Sequence, residues 1–131
     1  MSLGTAMADA RARLRTIRGE AVLDCVPGPI RDATLVLRVE ECSRADAAAA
    51  VVLEHRISGI ARAAADRNPI RFALALPAGE HAVSAEWSVR AQLICNPLQG
   101  LARGDYVSTR RYPLAGARVG GLLRIELERL Q

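Results

Sequence analysis

The residues able to do chemistry are few and far apart. His55 and His81 are the two histidines, and Cys25, Cys42 and Cys95 the three cysteines, with no Cys-x-x-Cys pair among them. Such spacing does not build a zinc site, and we expect no metal or other cofactor. The odd cysteine count fits one disulfide plus a free thiol or three reduced thiols, and spacing does not choose between them. Asp32 precedes an apolar alternation, while Asp46 follows Ser43 in a polar and alanine-rich stretch. As an acid and base pair they would serve proton transfer, but short polar side chains at such places accept backbone N–H bonds in turns, which is the expected role. Ser43 and Ser108 lack a Gly-x-Ser-x-Gly setting, and Gly116, Gly120 and Gly121 open no phosphate-binding helix. No catalytic residue is assigned, and the expectation is a binding protein rather than an enzyme.

Composition narrows the ligands. The net charge is +4 over 131 residues, and every basic residue is arginine. The arginines are scattered among acids, and aromatics make up 3% of the chain, too few for a base-stacking face. Nucleic acid is therefore not an expected partner. Arg110 and Arg111, with Arg103 and Arg118 nearby, offer either a basic patch for an acidic partner or a solvated strand face. Trp87 falls on an apolar row, which favours core packing over a sugar-stacking platform. His55 shares a row with Val51, Leu53 and Ile57 and is expected to be a buried core histidine.

The elements that position these residues follow from a period of two, the pattern of half-buried strands. Ile17, Gly19, Ala21, Leu23 and Cys25 form one face, and Leu35, Leu37 and Val39 another, with Thr34, Val36, Arg38 and Glu40 outward. Further rows are Val51 to Ile57, then Ile70, Phe72, Leu74 and Leu76, then Val83 to Leu93 on odd positions, and Leu123, Ile125 and Leu127. Tyr106 to Tyr112 reads as one more extended segment, closed by Pro113. Pro27-Gly28-Pro29, Pro69, Asn96-Pro97 and Gly100 to Gly104 punctuate the rows. About seven one-sided strands with no covering helices predict an all-β, two-layer antiparallel sandwich with Greek-key connections, a small closed barrel being the alternative. Residues 1–16 read as a frayed or disordered leader and 17–131 as the domain. Met1 to Gly4 resembles a cloning remnant, so the start of the chain does not set its compartment. No segment reaches the roughly 18–20 apolar residues that span a bilayer.

The segment from Ile30 to Ala47, Ile-Arg-Asp-Ala-Thr-Leu-Val-Leu-Arg-Val-Glu-Glu-Cys-Ser-Arg-Ala-Asp-Ala, resembles the YbaY/YscW-like family of type III secretion lipoprotein chaperones. Pro69-Ile70-Arg71-Phe72, Gly100 to Tyr106 and Tyr112-Pro113 are similar to later strands of the same family, in the same order. The resemblance runs from about Ile17 to Gln131. It implies a β-sandwich, a periplasmic or outer-membrane lipoprotein setting, and another envelope protein or peptide as partner, since some members are pilotins that escort a secretin subunit. No lipobox cysteine stands near the start, so lipidation is not carried over to any residue here, and Ala91 to Leu98 adds length to a hairpin the family keeps short. The binding surface expected on this reading is a sheet edge or the groove between sheets; which strand forms the edge is not legible. A carbohydrate- or small-ligand-binding sandwich is the alternative function.

Overall fold

Half-buried alternation needs a partner layer or a sheet that curls upon itself, and the chain takes the second course. The computed structural model describes residues 14–41, 50–77, 87–114 and 121–131. Its strands are β1 (Leu14–Leu23), β2 (Ile30–Glu41), β3 (Ala50–Arg62), β4 (Ile70–Pro77), β5 (Trp87–Ile94), β6 (Tyr106–Ser108), β7 (Tyr112–Pro113) and β8 (Leu122–Arg129). All belong to one sheet in the order β3-β2-β5-β6-β8-β1-β4, with β7 beside β5. The all-β expectation holds. The expected division into two sheets does not: one continuous ladder wraps a single core, close to the barrel alternative but, among the described residues, unclosed between β3 and β4. Alternation alone does not separate the two, because both bury one face of every strand.

Two further corrections concern direction and continuity. β1 and β8 run parallel, from Arg18↔Leu122 to Leu23↔Leu127. Strands distant in sequence can pair this way because nearly the whole domain serves as the crossover. The extended segment from Tyr106 to Tyr112 is split by a bend at residues 109–111, so β6 and β7 pair with opposite ends of β5. Ser108 bridges the break by accepting a hydrogen bond from the Ala91 N–H at 3.0 Å. β1 starts at Leu14, which takes three residues from the stretch assigned to the leader.

The core is aliphatic with a few aromatics: Leu23, Leu35, Leu37, Leu74, Leu76, Leu93, Ile125 and Leu127 are almost wholly inaccessible, and Trp87, Phe72, Tyr106 and Tyr112 fill the spaces between. Trp87 thus takes the expected packing role. The rows of β1 and β4 are as anticipated, and Gly19 has a specific reason to be glycine. It lies opposite Phe72, and a Cβ there would strike the Phe72 ring and stand 2.6 Å from the Leu123 carbonyl oxygen.

Candidate functional site

β3 departs most from its sequence reading. Leu35 pairs with Ile57 but Ala33 with Ile60, so Ser58 and Gly59 together face one residue of β2. Gly59 has φ +71°, the left-handed conformation that such bulges ask of glycine. A second irregularity follows at Val52, because Val39 pairs with Leu53 while Glu40 pairs with Val51. Each bulge changes which face the next residue points to. Val51 therefore leaves the inward row and is 55% exposed. His55, opposite Leu37, keeps to that row, yet it is exposed rather than buried. Nothing pairs with β3 on its far side among the described residues, so the core ends at Leu37. Leu53, Ile57 and Ile60 are half-covered in the same way.

The other expected residues do not converge. Asp32 is exposed on β2. Cys42, Ser43, Asp46, His81 and Arg118 lie outside the described residues. Cys25 and Cys95 are free thiols. No group of three potential metal ligands occurs among the described residues. Asp105, which sequence reading passed over, is buried and organises the loop after β5. Its carboxylate accepts from the Cys95 N–H at 2.9 Å and the Ala102 N–H at 2.8 Å, and its carbonyl accepts from Leu130 N–H at 2.7 Å. The spacing of Asp105 three residues after Ala102, next to Gly104, was the available signal for such a turn. Burial, with Asp105 adding to it, pushes the Cys95 thiol up to about 11. Burial likewise raises the Tyr106 hydroxyl to about 12, and that hydroxyl donates to the Cys25 carbonyl at 2.7 Å. These groups stay protonated at neutral pH and serve as structural donors.

The outer face of β2, β5 and β7 carries charge in an unexpected place. Arg38 lies directly across from Arg90, and Glu40 across from Ser88. Arg38 Nε and Arg56 Nε each approach one oxygen of Glu54, at 2.9 and 3.0 Å. These two guanidinium groups hold the Glu54 carboxyl below the usual carboxylate range. Glu40, expected outward and solvated, is 7% exposed. Arg90 Nη1 stands 3.8 Å and Arg111 Nε 3.9 Å from its Oε1 atom, which has no hydrogen-bond partner. The bend between β6 and β7 delivers Arg111, and it sets the Arg110 guanidinium 4.6 Å above the Tyr112 ring. Arg110 and Arg111 thus join Arg90 at one place, whereas Arg103 is on the loop after β5. A cavity of about 240 Å³ opens here, lined by Glu40, Arg38, Arg90 and Gln92 and walled by Leu101 and Leu130.

The fold has a known counterpart. It is similar to an alternative pilotin from the type II secretion system of Vibrio cholerae, with a TM-score of 0.62 and 18% identity over 90% of this chain and 98% of that one. At that identity the likeness establishes a shared fold. No family model and no curated protein matches the sequence. The shared fold is all-β, as the YbaY/YscW resemblance implied, although its single curled sheet is not the sandwich that the resemblance implied.

Proposed function

We propose that this protein is a non-enzymatic, chaperone-like module of the cell envelope, of the YbaY/YscW kind, that holds an extended segment of another envelope protein. The observation that carries this reading is the seam between β3 and β4, which no strand closes among the described residues. An edge strand presents unpaired backbone donors and acceptors that a partner strand completes, while pockets for alternate side chains supply selectivity. β3 has both parts. Its stretch Leu53–Ile57 pairs regularly with β2 between the two bulges, and Leu53 and Ile57 leave apolar surface half-covered beside it. The bulges at either end limit indiscriminate strand addition, a common device at sheet edges.

The pilotin-like fold supports an envelope setting, with a secretin-type subunit as one kind of partner and any membrane attachment made through a lipid anchor upstream of the residues described. A pull-down from envelope extract, followed by hydrogen exchange on the recovered complex, tests the reading. The expected result is a partner whose binding slows exchange of backbone amides in Leu53–Ile57. Recovery of no partner, or of one that leaves those amides unchanged, would overturn it.

A further inference from the structure

Glu40 poses a question that the seam does not answer. A carboxylate withdrawn from water ordinarily receives hydrogen bonds, because burial without them costs several kcal/mol. The Glu40 side chain is 10% exposed, and its Oε1 atom receives none. Arg90 and Arg111, at 3.8 and 3.9 Å, are close enough to balance its charge but too far for a hydrogen bond. Their own side chains are 49% exposed, so the guanidinium donors face outward. Arg110 stands beside them, lining with Arg90, Ser108 and Arg111 a space that adjoins the cavity of about 240 Å³. The two adjoining spaces therefore combine an acceptor in want of a donor, Glu40 Oε1, with Arg90 shared between them and Arg110 and Arg111 on the far side.

We propose that this pocket binds an acidic side chain of a peptide, the carboxylate bridging Arg90 and Arg111 and drawing them outward, so that Glu40 Oε1, closed to solvent in the free protein, opens to a neighbouring peptide N–H. Both halves of that occupant are needed. A simple anion such as phosphate satisfies the arginines, and its P–O–H groups can donate, but it has no aliphatic stem for the apolar wall, whereas a side-chain carboxylate flanked by a peptide N–H supplies an acceptor for the rim, a stem for the wall and a donor for the floor. Charge-assisted bonds of this kind are the stronger class of hydrogen bond, and an arginine presents a fork suited to a carboxylate. The cavity of about 240 Å³ has room for a side chain with its flanking backbone, and Leu101 and Leu130 give the aliphatic stem an apolar wall. The site lies on the outer sheet face, whereas Leu53 and Ile57 share the inner row with Leu35, Leu37 and Val39, so it stands or falls apart from the seam.

Titration calorimetry with two short blocked peptides, one alternating Ala and Glu and the other Ala and Gln, tests the proposal on the full chain. The glutamate peptide is expected to bind at least about tenfold more tightly than its neutral counterpart, and Arg111→Gln or Arg90→Gln to cost about tenfold each, the size of one charge-assisted bond. Arg71→Gln, an exposed change on β4, removes the same charge elsewhere and is expected to leave the affinity unchanged. The carbon-13 resonance of the Glu40 carboxyl is expected to move with the glutamate peptide and not with inorganic phosphate. Equal binding of the two peptides, binding of neither, an Arg71→Gln loss matching that of Arg111→Gln, or a Glu40 signal that phosphate moves equally would each overturn it. A partner that protects β3 amides in the separate exchange experiment would leave the seam reading standing even then.

Discussion

Strands β3 and β4 stand at the two ends of one ladder, and each pairs along a single edge among the described residues. In β4, Ile70, Phe72, Leu74 and Leu76 are all buried, while Arg71, Ala73 and Ala75 are exposed. Its register against β1 runs without a shift from Leu14↔Pro77 to Ala21↔Ile70. In β3 the register shifts, no side chain is fully buried, and the apolar row is half-covered. An edge strand can thus be saturated through its side chains while its backbone edge stays open, or it can leave both unfinished. Stability rests on the first kind of edge, and the proposed partner surface on the second.

The sharpest way to break this contrast is to truncate one leucine on each edge. Leu74→Ala removes a side chain that is 1% exposed and is expected to cost about 2–5 kcal/mol of unfolding free energy in urea titrations. Leu53→Ala, half-covered on β3, is expected to cost about 1 kcal/mol, since less surface returns to water. Equal losses would mean that β3 is as firmly seated as β4. A smaller effect probes the β1 and β4 side alone. Gly19→Ala places a methyl group against the Phe72 ring and the Leu123 carbonyl, and either the ring or the parallel pair with β8 must shift. The expected cost is about 1–3 kcal/mol, read as a lower urea midpoint. An unchanged midpoint would show that this side of the sheet yields more easily than its burial implies.

The difference between the edges also marks what the sequence disclosed. β1, β4 and β8 were legible because a strand buried on one face shows that fact locally, in alternate residues. β3 was not, because Val52 and Ser58-Gly59 interrupt the alternation and a bulge announces itself only in its pairing; Gly59 was the one local hint. His55 was misplaced for a related reason: the period of two tells which row a residue joins, and strand order decides whether anything covers that row. The burial of Glu40 was beyond local reading altogether. It depends on Arg90 and Arg111 arriving from segments fifty or more residues away, on a face that alternation marks as solvated. The parallel pairing of β1 with β8 likewise follows from the curl of the whole sheet.

The smallest expected effect concerns the charged row on β3 itself. The Glu54 carboxyl is held below its ordinary value of 4.5, first by the hydrogen bond from Arg38 and then by that from Arg56. A carboxyl whose value is lowered by folding stabilises the fold above its unfolded value, and that contribution fades as the pH falls through the folded one. Glu54 is exposed, however, and water and salt screen such pairs nearly to nothing. Glu54→Gln is therefore expected to leave the urea midpoint at pH 7 where it stands, and to track the wild-type chain as the pH is lowered to 3. A loss at pH 7 as large as that of Leu53→Ala, vanishing in acid, would show that the arginines of the outer face hold β3 in place. The inner row would then be free to part from the core, and a partner peptide would compete with Leu53 and Ile57 for that surface as well as completing the edge beside them.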